Sequence, residues 1–166
     1  GETDEGSFVY FRDDKVEAIE VDDLSMVGLA IRQNIAVITV SGIRNQPGKA
    51  ARIFELLRDI VVGDAIQGQS GKRASISCWI DGHDVDKVMI AMPDCKIQRG
   101  LACLTLVSPG MKEGKGYLAR MTRALAKANT NIEMIGTAGE SILVIVRAEH
   151  LEKAAREIAA EFQLCE

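Results

Sequence analysis

Ile35 to Ile60 reads IAVITVSGIRNQPGKAARIFELLRDI, and Leu101 to Asn129 reads LACLTLVSPGMKEGKGYLARMTRALAKAN. In each, an apolar strand runs into a short polar loop, then a glycine, then an amphipathic helix. Ala36 and Thr39 recur as Ala102 and Thr105. Gly48, Ala51 and Arg52 recur as Gly116, Ala119 and Arg120, with the second loop two residues longer. The chain therefore carries one strand–loop–helix unit twice. The glycine directs attention to the loop, because a helix that opens on Gly lets a small charged ligand approach unpaired backbone N–H groups.

Working outward, the elements around each copy follow one order. Pro47 suits the first position of a helix, where its missing N–H is no loss. Ala50, Ile53, Phe54 and Leu57 then form one apolar face. Val61 to Gln67 and Arg73 to Ile80 read as strands around the turn Gly68-Gln69-Ser70-Gly71. Asp84 to Met92 reads as a short helix stopped by Pro93, and Cys95 to Ile97 as a further strand. In the second copy Leu118, Met121, Leu125 and Ala128 mark the helix face. Asn131 to Thr137 and Ser141 to Arg147 are strands around Gly139, and His150 to Glu161 is a closing helix. Each copy is β-α-β-β-α with a final strand available. That order predicts an α+β fold of two ferredoxin-like (βαββαβ) modules, each a small antiparallel sheet with two helices on one face. Before them, Gly1 to Gly6 reads as a disordered leader. Phe8 to Phe11 and Val16 to Val21 read as a short hairpin, and Met26 to Ile31 as a third strand.

Composition narrows the function. At 166 residues the chain suits one domain or two small ones, and a chain of this size buries roughly 70% of its unfolded surface without staples. Aromatic residues are only 4%, so Ile, Val, Leu, Ala and Met must build the core. A net charge of −4 argues against a nucleic-acid backbone as partner. Cys78, Cys95, Cys103 and Cys165 form no C-x-x-C pair, which argues against zinc. Buried free thiols suit a reducing, cytoplasmic compartment. No run approaches the roughly 18 apolar residues of a membrane span, and no secretory leader is legible. The opening Gly, rather than Met, predicts a piece of a longer chain.

Several catalytic readings fail on the residues. Gly63 to Lys72 is glycine-rich, but a phosphate loop needs a Gly and a hydroxyl where Ile66 and Arg73 stand, so it reads as a hairpin turn. His83 and His150 stand apart from any Cys-rich or carboxylate-rich run, and no nucleophile–base arrangement is legible. Lys112, Lys115 and Arg120 make a small basic group that reads as a solvated face. A ferredoxin-like acylphosphatase would need an Arg-bearing glycine loop, which is absent. An RNA-binding sheet would need aromatics on its central strands, where only Trp79 stands.

The same residues carry a resemblance. IAVITVSGIRNQPGKAARIFELL and LVSPGMKEGKGYLARMTRALAKANTNIEMIGTAGESILVIV resemble the paired ACT modules at the regulatory end of aspartate kinase. NTNIEMIGTAGESILVIV is similar to that family's N-I-E-M-I-S-T-S segment and last strand, and EFQL to its chain end. The resemblance covers Val27 to Leu164. Residues 1–25, the leader and hairpin, have no counterpart in it; it implies residues 32–100 as a first ACT module and residues 26–31 with 101–166 as a second, the sheets pairing side by side. It also implies binding of a free amino acid, lysine or threonine, as feedback inhibitor of the first step of the lysine, threonine and methionine pathway. The implied partners are a second copy of the chain and the kinase catalytic domain or subunit. A stand-alone tandem ACT sensor serving another partner is the alternative reading. No cofactor and no metal is expected in this chain; ATP and Mg would belong to the kinase half, which these residues lack.

Carried over onto this sequence, the resemblance nominates Asn45, Gln46, Pro47, Gly48, Lys49 and Ala50 in the first loop, with Asp64, Ile66 and Gln67 on the next strand. In the second copy it nominates Met111, Lys112, Gly114, Gly116 and Tyr117, with Asn131, Ile132, Glu133 and Thr137 on the following strand. Three departures stand out. The family usually has Asp at the place of Asn45, whose charge would meet an effector's ammonium group. Asp64 lies one place from the family's acid. Lys115 replaces the second loop's proline.

Overall fold

The computed structural model describes residues 10–11 and 27–164. The expected leader and the Val16–Val21 arm of the hairpin lie outside them. Tyr10–Phe11 is a short strand, β1, which pairs in parallel with Leu29 and Ala30.

Strand β2 runs unbroken from Gly28 to Arg44, where two strands, Met26 to Ile31 and Ile35 to Val40, were expected. The polar Gln33-Asn34 step does interrupt the apolar pattern, and Asn34 takes a left-handed φ of 53°. Asn tolerates that conformation, so the strand bends there without ending. Strand β5 repeats the device. It spans Lys96–Val107 through Gly100 at φ 71°, which merges the expected strands at Cys95 to Ile97 and Leu101 to Val107.

The chain divides into two compact units close to these bends: Asn34–Leu101, and Gly1–Gln33 with Ala102–Glu166. In the Asn34–Leu101 unit, β2 is followed by α1 (Lys49–Leu56), β3 (Val62–Ser70), β4 (Arg73–Asp81) and α2 (Val85–Ala91). The strand order is β3-β4-β2, both pairs antiparallel. The core joins Ala36, Ile38, Cys78 and Ile80 of the sheet to Leu57, Val85 and Val88 of the helical side. Helix α1 buries none of its own residues, and only its C-cap Leu57 is fully enclosed. Pro47 precedes the helix by two places rather than opening it, because the left-handed Gly48 is the N-cap.

In the other unit, β5 leads to α3 (Tyr117–Lys127), β6 (Met134–Ala138), β7 (Ser141–Arg147) and α4 (Leu151–Glu161), in the strand order β2-β5-β7-β6. Leu104, Leu106, Val144 and Val146 pack with Met121, Leu125, Ala154 and Ile158, and Leu29 and Ile31 of β2 complete that core. Removing one such side chain, as in Leu104→Ala, costs roughly 2–5 kcal/mol. Apart from the parallel β1, both units are thus the expected antiparallel sheet with two helices. The strand expected from Asn131 begins only at Met134, so Asn131, Ile132 and Glu133 form the connection before β6.

Candidate functional site

The two loop–helix mouths are built alike. Gly48 caps α1 at φ 85° and Gly116 caps α3 at φ 84°, a region that L side chains rarely adopt. Neither helix receives a side-chain cap, and neither has an acidic residue in its first turn. Apart from the Lys49 N–H, which donates to the Gln46 carbonyl at 3.3 Å, the first-turn N–H groups and the positive end of the helix dipole are left for an outside acceptor.

Each loop is anchored to the turn of the hairpin that follows its helix. The Asn45 N–H donates to the Lys72 carbonyl at 3.1 Å, and the Ser108 N–H donates to the Glu140 carbonyl at 2.8 Å. Those turns open on left-handed glycines, Gly71 at φ 59° and Gly139 at φ 54°. The repeat seen in the sequence is thus a repeat of hydrogen bonding as well.

In the first loop, Asn45, Gln46, Pro47 and Gly48 are exposed. Asn45 and Gln46 line a cavity of about 540 Å³ whose other walls are Arg44, Gln69, Gly71, Lys72 and Arg73. Asp64, Ile66 and Gln67 lie on β3 and are not among its walls. The Asp64 carboxylate instead accepts the Trp79 indole N–H at 3.0 Å. The strands slip register between Val62 and Ala65, and this bulge lets the Trp79 ring lie against Gly63, where a Cβ would meet Cε2 at 1.9 Å. Sequence reading missed Arg44, Gln69, Lys72 and Arg73 as wall residues. The signal was present: two cations follow Gly71 at a turn.

In the second loop the two extra residues are taken up by a 3-10 turn, Pro109–Lys112. Gly110 and Gly114 pack against Tyr117: a Cβ on Gly114 would stand 2.4 Å from Tyr117 Cε2 and 2.9 Å from the Gly110 carbonyl oxygen. The Tyr117 ring also stacks on Phe162 at 6.2 Å between centroids, with the Arg120 guanidinium 4.3 Å from the Phe162 centroid. Arg120 is fixed further by Glu161, through Nε to Oε1 at 3.2 Å and Nη2 to the carbonyl at 2.8 Å. Lys112 Nζ lies 3.2 Å from Glu140 Oε1. The expected basic group of Lys112, Lys115 and Arg120 is therefore divided, two of its members being held by different carboxylates. Asn131, Ile132 and Thr137 are exposed, and Glu133 is 3.6 Å from Arg147 Nε. The two acids nominated to meet an ammonium group, Asp64 and Glu133, thus each have a contact within the chain.

The remaining chemistry is sparse. His83 is not apart from carboxylates after all: its Nδ1 lies 2.6 Å from Asp81 Oδ1, at the turn before α2. Burial, with a smaller contribution from Cys95, pushes the Cys78 thiol up to about 11, which keeps it protonated and unreactive. Among the described residues no three His, Cys, Asp or Glu side chains gather as a metal site, and no helix is long and apolar enough to cross a membrane.

Comparison with known proteins places these features. An ACT domain model matches residues 104–162. The regulatory subunit of aspartate kinase from Thermus flavus is 30% identical and superposes with a TM-score of 0.74 over 81% of this chain and 96% of that subunit. The chain belongs to the aspartate kinase regulatory family. The ligand-free regulatory subunit from Thermus thermophilus, 28% identical, superposes with a TM-score of 0.76 over 84% of this chain and 99% of that one. The aspartokinase of Corynebacterium glutamicum is 30% identical across 90% of this chain. The chain spans 39% of the length of that aspartokinase.

Proposed function

We propose that this chain is the amino-acid-sensing regulatory part of an aspartate kinase, acting in the cytoplasm, and that lysine or threonine binds at a loop–helix mouth to inhibit a kinase domain or subunit. The observation that carries the reading is the pair of uncapped helices opening on Gly48 and Gly116, in a chain that aligns with nearly the whole of an aspartate kinase regulatory subunit. An α-carboxylate suits these mouths because it accepts several backbone N–H bonds and meets the helix dipole with the right sign. Asp64 or Glu133 would receive the ammonium group only by sharing oxygens with Trp79 or Arg147, since a carboxylate has acceptor capacity beyond one contact.

The same reading includes a homodimer. Among the described residues strand β3 ends the strand order and pairs with β4 alone, so its outer edge offers free backbone groups. Leu56, Val61, Ile66 and Ile90 of the same unit are exposed large apolar side chains. Light scattering at micromolar concentration should give twice the chain mass; a strictly monomeric mass refutes this part.

Binding itself is tested by thermal shift across the twenty amino acids. A ligand at 100 times its dissociation constant adds about 2.7 kcal/mol to the folded state. One or two aspartate-pathway amino acids should raise the melting temperature, and Gly48→Val or Gly116→Val should weaken the effect. No shift with any amino acid, in protein shown to be folded, overturns the reading.

A further inference from the structure

The two loop–turn contacts share a backbone plan but differ in charge. Beside the Ser108–Glu140 bond the gap is neutralised, because Lys112 Nζ faces Glu140 Oε1 at 3.2 Å. Beside the Asn45–Lys72 bond, among the described residues, the cavity wall carries no carboxylate. The seven wall residues of the 540 Å³ cavity include three cations, Arg44, Lys72 and Arg73, and no acid. Arg73 spends one donor on the Gly42 carbonyl at 2.8 Å, which fixes its guanidinium while leaving the rest of the fork available. Among the described residues Arg44 and Lys72 form no ion pair. Three like charges converge on one concavity in a chain whose net charge is −4, so the concentration is local and runs against the balance of the molecule.

We propose that this cavity binds a small anion bearing two or more carboxylate or phosphate groups, through Arg44, Lys72 and Arg73. Like charges lining a cleft repel one another and raise the local concentration of a multivalent counter-ion. Arg forks match carboxylate and phosphate oxygens two at a time, and Lys adds a point charge. The volume falls in the range of small-molecule sites. The Gln46 and Gln69 amides, which carry both donors and acceptors, suit polar groups between the anionic ends. A free amino acid is a poor occupant, because its ammonium group finds no carboxylate among the walls; the cavity shares Asn45 and Gln46 with the first amino-acid mouth and differs from it by its three cations. A nucleic-acid strand is disfavoured as well, since no wall residue is aromatic and bases would have nothing to stack on.

The test titrates the whole chain with pyrophosphate and, in a second arm, with citrate, by calorimetry and thermal shift at low and at 300 mM NaCl. The two arms separate phosphate from polycarboxylate recognition. The site predicts saturable one-to-one binding of at least one of the two anions, weakened by the added salt. It should fall about tenfold or more for each cation removed in Arg44→Gln and Lys72→Gln, as loss of a charge-assisted hydrogen bond implies. Both side chains are exposed, so circular dichroism should report unchanged folding. Amino-acid binding should survive in these variants, whereas Gly116→Val should leave anion binding intact, so failure of one reading is told from failure of the other. No saturable binding of either anion, or equal binding by wild type and the Arg44→Gln/Lys72→Gln double variant, overturns the proposal.

Discussion

Gly63→Ala tests whether the β3 bulge is held by Trp79 as described. An added Cβ would lie 1.9, 2.3 and 2.4 Å from Cε2, Cδ2 and Cζ2 of the indole, whereas carbon atoms rest about 3.5–4.0 Å apart. The ring must therefore withdraw by about 1.5 Å. Trp79 is 9% exposed, so it has little free space to enter, and moving it stretches the 3.0 Å bond from its N–H to Asp64. Over-packing of this kind costs about 1–3 kcal/mol, and loss of a hydrogen bond to a charged group adds to it, giving about 2–4 kcal/mol. Trp79 is the only tryptophan, so intrinsic fluorescence reports on this unit alone. Urea unfolding followed by that emission should move to lower denaturant, and the native spectrum should shift to the red as the ring meets water. A double-mutant cycle with Trp79→Phe, read by circular dichroism, should show Gly63→Ala costing at least about 1 kcal/mol less when the indole is gone. A loss below about 0.5 kcal/mol with an unchanged emission spectrum would refute the reasoning.

Gly48→Ala and Gly116→Ala should each destabilise by about 1–2 kcal/mol, and by similar amounts. Their φ values are 85° and 84° and neither added Cβ meets an atom within 4 Å, so backbone strain is the only contribution. Gly116→Asn should lose less than Gly116→Ala in calorimetric melting, because Asn tolerates the left-handed region. The stability of the Asn34–Leu101 unit should fall between pH 9 and about 11. There the unfolded Cys78 thiol, at its ordinary 9.0, releases a proton that the folded one, raised to about 11, retains. The unfolded chain then binds fewer protons, so this contribution is complete below pH 9 and is lost as pH rises through the window. Cys78→Ala should flatten the decline in fluorescence-detected urea midpoints relative to wild type.

The architecture was legible because it is periodic. Apolar runs at Ile35–Val40 and Leu101–Val107 and the helix faces at Met121, Leu125, Ala154 and Ile158 could hardly bury themselves any other way. The glycine mouths were legible because a left-handed cap needs Gly48 and Gly116. Strand ends were not. Gln33-Asn34 and Arg99-Gly100 carry the polar and glycine signals of a break, yet β2 and β5 continue through left-handed Asn34 and Gly100. Local sequence specifies the bend at such a point, while the neighbouring strand decides whether pairing resumes. The start of β6 was misplaced for a related reason: Asn131 and Ile132 continue a strand-like run, but the helix-terminating left-handed Asn129 and the buried Thr130 put a connection there first.

The candidate site divides along the same line. Residues that act through their own backbone, such as Gly48, Gly116 and the turn glycines Gly71 and Gly139, could be found one position at a time. The charged cavity could not, because its walls are separated in sequence by a helix and a strand and are brought together by the Asn45–Lys72 hydrogen bond and the pairing of Arg44 with Arg73 across β2 and β4. The turn at Gly71 was read correctly as a turn, and that reading gave no reason to compare its cations with Arg44. The comparison with the second copy supplies the reason. Two turns with the same left-handed glycine and the same bond to the preceding loop carry Lys72 in one case and Glu140 in the other. Backbone duplication therefore accounts for the shared geometry, and only the charge at the turn separates a gap closed from within by Lys112 from one whose cations are left to an outside anion.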